Sequence, residues 1–158
     1  MTSAAKDRVR LWLRLLKVVR GVEQELRDKL RREHNTTLPR FDVMSALSRH
    51  PDGLKMSQLS GVLRVSNGNV TGIADRLSEE GLVERVAVPG DRRATMLRLT
   101  DAGQAEFETQ ARAHERWIDE MLQGVSPDDA RAMAERLQAF AAAAEAENHI
   151  RKEDADAQ

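Results

Sequence analysis

Residues 65–103 read VSNGNVTGIADRLSEEGLVERVAVPGDRRATMLRLTDAG, and this stretch decides the fold. Apolar residues in its first half recur at the spacing of one helix face. Ser66 suits the N-cap of that helix, and Gly81 is a residue type at which helices commonly end. The sequence therefore predicts a helix from about residue 66 to residue 80. Its buried face is expected to consist of Val70, Ile73 and Leu77.

The period of the pattern changes after this helix. Residues 82–88 and 94–99 are rich in β-branched or alternating apolar side chains, as is typical of strands. Pro89-Gly90-Asp91 between them is a turn signal, so the two strands predict a β-hairpin. The tip of the hairpin carries the charged residues Asp91, Arg92 and Arg93.

Helical periodicity dominates the rest of the chain. The predicted helices at residues 57–64 and 66–80 are short, closely joined and followed by the hairpin. This is the layout of a winged helix-turn-helix, in which the second helix enters the major groove of DNA. We therefore predict a mainly α fold with a small β-hairpin wing. The long amphipathic helix at the start of the chain needs a partner surface, from its own chain or from a second subunit. The remaining predicted helices are residues 7–32, 38–48, 57–64, 100–123 and a last one that begins at Ser126-Pro127.

Charge is distributed unevenly along the chain. The net formal charge is −1, yet residues 1–39 hold ten Lys or Arg against five Asp or Glu, and residues 101–158 hold six against fourteen. Binding of phosphates depends on the local electrostatic field, so this net charge does not exclude nucleic acid as a partner. Ordinary variation among solvated helix faces is the alternative explanation of the uneven charge.

The composition also excludes some kinds of site. With no cysteine, disulfides and cysteine-bound zinc are excluded. No apolar run approaches the ~18 residues that span a bilayer and no signal-peptide pattern is found, so we expect a soluble cytoplasmic protein without a membrane partner.

The helix predicted at residues 66–80 carries small polar side chains suited to the edges of DNA bases. Asparagine can pair with adenine in the major groove, and Ser or Thr can serve several bases. Two glycines in one helix cost roughly 1 kcal/mol each relative to alanine, and close approach of the backbone to DNA would explain them. A polar loop before an ordinary helix is the alternative interpretation. The candidate DNA-binding residues here are Ser66, Asn67, Gly68, Asn69, Thr71 and Arg76.

The charged tip of the hairpin is the second candidate DNA contact. Arginine suits the narrow minor groove and the phosphates, so Arg92 and Arg93 are candidate DNA-binding residues. Asp91 is the third, because its carboxylate could hold a neighbouring arginine by a charge-assisted hydrogen bond. A loop that only adds solubility is the alternative.

The same stretch resembles the DNA-binding signature of the MarR family of transcription regulators. The matching motifs are DRLSEEGLVER, the DRR of the wing, and the LTDAG that opens the next helix. The resemblance, from about residue 11 to residue 146, implies a homodimer on a palindromic operator, usually a repressor, often released by a small aromatic or anionic ligand. At 158 residues the chain has the size of one domain, residues 1–158, with the winged helix-turn-helix at 38–99. The resemblance implies dimerisation helices at 7–35 and 100–146.

Within this family, LWLRLL, TTLPRFDVMSAL and VSNGNVTGI are similar to regulators of hydroxycinnamate breakdown, which respond to aromatic acyl-CoA thioesters. Such an effector requires an apolar slot for its ring and cations for its phosphates. For the three apolar candidates, an ordinary place in the core is the competing interpretation. The candidate ligand-binding residues are Trp12, Phe41 and Met44 for the slot and Arg10, Arg14 and Arg40 for the anionic groups.

Two other classes of function compete with a DNA-binding regulator. The four histidines are scattered and form no metal-binding or nucleophile motif, so we expect neither an enzyme nor a bound cofactor or metal. His114 lies on the apolar stripe of its helix, where a satisfied core residue is the ordinary role. The second class is a helical adaptor that binds another protein and ignores duplex DNA.

Overall fold

The structure, a computed structural model, describes residues 2–63 and 67–156. The predicted cap Ser66 lies outside the described residues. The mainly α fold with a small β wing is confirmed, and most helix boundaries agree with the sequence prediction within one or two residues. The elements in chain order are α1 (Ser3–His34), α2 (Leu38–Ser48), β1 (Leu54–Lys55), α3 (Met56–Leu63), α4 (Asn67–Glu79), β2 (Val83–Val88), β3 (Asp91–Leu99), α5 (Asp101–Leu122) and α6 (Pro127–Asp156).

Side-chain caps mark the beginnings of α2 and α6. The Thr37 hydroxyl accepts a hydrogen bond from the backbone N–H of Arg40 at 3.4 Å, with Pro39 in the first turn of α2. At the start of α6, the Ser126 hydroxyl accepts from the N–H of Asp129 at 3.1 Å and donates to its carboxylate at 2.8 Å. These contacts satisfy backbone donors that a helix leaves unpaired in its first turn.

Three antiparallel strands in the order β1-β3-β2 form the wing. The two-residue strand β1, which the sequence did not predict, pairs Leu54 with Leu97 of β3. Gly90 adopts a φ of 80° in the turn between β2 and β3, a conformation that favours glycine. The β2–β3 register shifts next to this turn: Val88 pairs with Asp91, whereas Ala87 already pairs with Thr95. Residues 92–94 therefore form an irregular bulge without partners on β2.

The core of the winged helix-turn-helix lies between α2, α3, α4 and the sheet. Every one of these elements contributes buried apolar side chains, so packing holds α4 against the rest of the region. The face of α4 that points away from this core is exposed. The buried residues of this core are Val43, Met44, Ala46, Leu47, Leu54, Leu59, Val70, Ala74, Leu77, Val83 and Leu97.

The contacts divide the chain into two compact units, residues 1–118 and residues 119–158. The first unit holds α1 to β3 and most of α5, and the second holds the end of α5 and all of α6. The single domain that the sequence led us to expect over residues 1–158 stays a prediction. No helix in the part of the chain that the structure describes is both long and apolar enough to span a membrane.

Candidate nucleic-acid interface

Helix α4 has one buried face and one exposed face. Val70, Ala74 and Leu77 are completely buried in the core, whereas the side chains of Asn69 and Arg76 are exposed. Of the other predicted contacts, Thr71 is exposed, Asn67 and Gly68 lie in the first turn of α4, and Ser66 lies outside the described residues. The exposed face thus presents the small polar side chains of Asn69 and Thr71, and the Arg76 guanidinium lies one to two turns further along.

An ion pair ties α4 to the wing. The Arg85 guanidinium of β2 donates to the Asp75 carboxylate of α4 at 2.6 Å. Both side chains are about half exposed, so the pair contributes at most about 1 kcal/mol to folding, and its main effect is to orient the helix against the hairpin. This pair was not predicted from the sequence, although opposite charges on either side of a helix-to-strand turn were a usable signal.

The tip of the wing exposes two arginines. Asp91, Arg92 and Arg93 are all exposed and belong to β3, while the turn itself consists of Pro89 and Gly90. The Asp91 carboxylate accepts a hydrogen bond from the backbone N–H of Arg93 at 3.0 Å, whereas the sequence led us to expect that it holds an arginine side chain. Among the described residues, neither guanidinium takes part in an ion pair, so both are available to an external anion.

The base of the wing is joined to α5 through Thr100. Its hydroxyl donates to the carbonyl oxygen of Gly81 at 2.6 Å and accepts from the N–H of Gly103 at 3.0 Å. A Cβ added at Gly103 would lie 1.8 Å from the carbonyl oxygen of Leu82. The glycine of the LTDAG motif is therefore required by the close contact between α5 and the chain that follows α4.

The six candidate ligand-binding residues occupy three different environments within the chain. Arg10, Trp12 and Arg14 are exposed on α1, where Arg10 pairs with Asp7 at 2.9 Å and the side chain of Trp12 is 58% exposed. Phe41 and Met44 are buried between helices, and Arg40 pairs with Glu80 at the end of α4. The buried part of α1 begins only at Leu26, about 21 Å along the helix axis from Trp12. The predicted slot is thus not assembled from these described side chains within one chain.

An aromatic cluster joins α2 to α5. The ring of Phe41 stacks on His114 with centroids 4.8 Å apart and lies 5.6 Å from the ring of Phe107. Burial of the imidazole lowers the pKa of His114 below its ordinary value of 6.5. This agrees with the core role that is ordinary for a histidine on an apolar stripe. In the described part of the chain, no group of three or more His, Asp or Glu side chains could hold a metal ion.

Known proteins are similar in sequence to the region that contains this interface. A model of the MarR family matches residues 34–94, which include the helix-turn-helix and most of the wing. The chain is 31% identical over 108 residues to the HTH-type transcriptional repressor MdtR of Bacillus subtilis strain 168, and the match covers 68% of each chain.

Solved structures agree with both the sequence match and the fold. The MarR family transcriptional regulator of Silicibacter pomeroyi is 34% identical, and the match covers 90% of this chain and 99% of that one with a TM-score of 0.74. A mutant MarR from E. coli complexed with operator DNA is 22% identical, with coverage of 88% and 99% and a TM-score of 0.73. At 22% identity, the similarity to the E. coli MarR complex shows a shared fold and nothing more.

Proposed function

The chain belongs to the MarR family of DNA-binding transcription regulators, and on that premise we propose that it is a homodimeric repressor of a palindromic operator. The observation that carries this proposal is the division of α4 into a buried apolar face and an exposed face with Asn69, Thr71 and Arg76. That face, with the arginines of the wing beside it, has the residue types that recognise base edges and phosphates. Repression is the activity named for the related MdtR.

Exposed apolar residues on α1 and α6 support the dimer. Val9, Leu11, Trp12, Val18 and Val19 leave about half or more of their surface exposed along the first half of α1. In the second unit, α6 exposes Met133, Leu137 and Phe140 at helical spacing. Large exposed apolar faces on long helices are typical of interfaces, and a second copy of the chain would cover them.

The dimer sets the geometry of the operator. Two equivalent α4 helices related by a twofold axis require two inverted half-sites. For both helices to enter successive major grooves on one side of the duplex, the half-site centres must lie about 34–36 Å apart, or about 10–10.5 base pairs. We therefore expect a palindrome of that spacing upstream of the genes that the protein controls.

We further infer that a small aromatic effector releases the repressor, as the resemblance to regulators of hydroxycinnamate breakdown implies. The effector class that we favour is an aromatic acyl-CoA thioester such as p-coumaroyl-CoA or feruloyl-CoA. Release requires the effector to bind more tightly to a conformation in which the two α4 helices no longer fit adjacent grooves. The regulated genes would then serve the breakdown of aromatic compounds in the cytoplasm.

Fluorescence anisotropy with labelled duplexes tests the proposal. The protein's own promoter region is compared with a random duplex of the same length at two salt concentrations, and the two thioesters and the free acids are then added. We expect tight, salt-sensitive binding that prefers the promoter and is lost when a thioester is added. Release by a free acid alone would contradict the thioester assignment. If no duplex binds, the adaptor interpretation replaces the repressor.

A pair of variants tests whether α4 recognises bases. Asn69→Ala is expected to reduce the preference for promoter over random DNA, because base contacts carry the sequence information and phosphate contacts do not. Ser78→Ala, an exposed polar residue near the other end of α4, is the matched control. Equal losses of affinity on both duplexes for Asn69→Ala would remove this residue from base recognition.

A further inference from the structure

A cleft of about 280 Å³ lies between the beginning of α2 and the exposed face of α4. From α2 it is lined by Arg40 and by the cap residue Thr37, neither of which the sequence had connected with DNA. Helix α4 contributes the other wall. Its lining residues there are Asn69, Gly72, Ile73 and Arg76.

The cleft opens on the side of α4 that is proposed to face DNA. Asn69, Gly72 and Arg76 are three and four residues apart, so they lie on one helix face, away from the buried Val70 and Leu77. Any group in the cleft would therefore lie directly beside the surface of α4 that enters the groove. The sugar-phosphate strands that border the groove run along that position.

Arg40 enters the cleft with an unmet hydrogen bond. Its side chain is only 16% exposed and pairs with the Glu80 carboxylate through Nη2, while its buried Nε–H has no acceptor among the described residues. A guanidinium has five N–H donors in a rigid fork that matches phosphate, and leaving such a donor buried without an acceptor is unfavourable. Arg40 is therefore held in place by Glu80, while its buried Nε–H stays unpaired among the described residues.

Gly72 leaves room for an anion in the α4 wall of the cleft. A Cβ at this position would meet no atom within 4 Å, so internal packing does not require glycine here. Glycine in the middle of a helix is unfavourable relative to alanine, and close approach of a ligand to the helix backbone is a reason to retain it. The guanidinium groups of Arg40 and Arg76, against the single carboxylate of Glu80, leave the cleft with a net positive charge.

We propose that this cleft binds one backbone phosphate of the DNA duplex through Arg40 and Arg76, and so sets the register of α4 in the groove. The proposal rests on the proposed function, because the phosphate belongs to the duplex that α4 recognises. Arg40 is then a DNA-positioning residue: it contributes affinity for every sequence and no preference between them. Glu80 orients Arg40, but its negative charge opposes the phosphate.

The test measures affinity for the promoter duplex and a random duplex over a range of salt concentrations, with the full-length protein. Arg40→Gln is expected to weaken binding by the same factor on both duplexes. It also lowers the slope of log K against log salt by about 0.9 for each phosphate that is no longer neutralised, so by about 2 for a dimer with two clefts. Arg49→Gln, which removes the same charge from the exposed C-cap of α2, is the matched control and should leave the slope unchanged.

Two further variants separate the phosphate contact from a structural role of the Arg40–Glu80 pair. Glu80→Gln keeps an oxygen acceptor for Arg40 and removes the opposing charge, so DNA binding should be unchanged or tighter. Gly72→Ala should raise the thermal stability of the protein and yet weaken DNA binding, because its methyl group occupies the cleft. If Glu80→Gln weakens binding as much as Arg40→Gln, the pair only holds α4 in place and the proposal is overturned.

The remaining outcomes also decide between explanations. If the wild-type protein binds DNA and the Arg40→Gln variant keeps the full salt slope, the phosphate contact in the cleft is refuted. The proposed function is not affected by that result. A wild-type protein that binds no duplex refutes the proposed function itself.

Discussion

Gly103 shows how a single residue determines the join between the DNA-binding region and helix α5. Its backbone lies so close to the chain after α4 that a Cβ would lie 1.8 Å from the carbonyl oxygen of Leu82. The neighbouring Thr100 hydroxyl contacts both sides of this join, at Gly81 and at Gly103. The LTDAG motif is thus a packing motif as well as a helix start.

Replacing Gly103 by alanine should destabilise the protein by about 3 kcal/mol, because backbone atoms on both sides must move to admit the methyl group. Thermal or urea unfolding followed by circular dichroism measures the change. Gly61→Ala is the matched control: Gly61 is also helical, a Cβ there meets nothing within 4 Å, and the exchange should stabilise the protein by about 0.5–1 kcal/mol. Similar unfolding curves for the two variants would contradict the close contact at Gly103.

His114 makes stability depend on pH. Burial lowers the pKa of its imidazole in the folded protein, so the unfolded chain binds the proton more readily. The stability that this residue contributes is therefore complete above the unfolded pKa of about 6.5 and is lost as pH falls through the lowered folded pKa. The stacking partner Phe41 is apolar and offers the imidazolium no compensating charge.

His114→Phe should remove part of this dependence, because phenylalanine keeps the stack on Phe41 and takes up no proton. Urea unfolding between about pH 7.5 and about pH 5.5 should show a smaller loss of stability for the variant than for the wild type. His149→Phe, the same exchange at an exposed position of α6, provides the control. Parallel curves for wild type and His114→Phe would contradict a buried neutral imidazole.

At the scale of elements, the hairpin and α4 form one candidate DNA-binding surface, and two ion pairs hold it together. The Asp75–Arg85 pair links the two elements, and the cross-strand pair of Glu84 with Arg98, at 2.6 Å, joins the two long strands of the wing. The bulge at residues 92–94 releases the chain from the ladder next to the turn. Because these residues have no partner on β2, the arginine side chains there can approach the minor groove.

Arg93→Ala should weaken binding to promoter and random DNA while leaving the dimer intact, because the wing lies outside the proposed dimer helices. Anisotropy gives the affinity and sedimentation velocity the oligomeric state. Arg116→Ala removes the same charge from an exposed position of α5 and should leave the affinity unchanged. An unchanged affinity for Arg93→Ala would exclude the wing from DNA binding.

At the scale of the whole molecule, helix α1 changes its environment along its length. Leu26 and Leu30, near its C-terminal end, are buried within the chain, whereas Trp12 and Val19 on the same stripe are exposed. A dimer that uses α1 must therefore form through the first half of the helix. Substitution of Leu26 would damage the folded chain itself and would not isolate dimerisation.

Val19→Asp is expected to weaken the dimer without unfolding the protomer, because the side chain is 51% exposed in the single chain. Sedimentation velocity at micromolar concentrations measures the dimer, and circular dichroism checks the fold. Val62→Asp introduces the same change at a similarly exposed valine on α3, away from the proposed interface. A Val19→Asp protein that remains fully dimeric would rule out this part of α1 as the interface.

The sequence by itself determined the helices, the hairpin and the place of the candidate DNA contacts. These features depend on the order of neighbouring residues: the three- and four-residue spacing of apolar side chains, the helix start at Ser126-Pro127, and the turn at Pro89-Gly90. Each acts within one or two turns of chain, so its signal is visible without knowledge of the fold.

Only the tertiary structure decided which of these residues meet. The guanidinium of Arg40 and the carboxylate of Glu80 are 40 positions apart in the chain, and the short strand β1 exists only because β3 supplies its hydrogen bonds. The sequence led us to expect Arg40 and Trp12 in one pocket, whereas the structure places Arg40 with Arg76 in the cleft at α4. Contacts between distant positions depend on how the core packs as a whole, and no local spacing of residues encodes that packing.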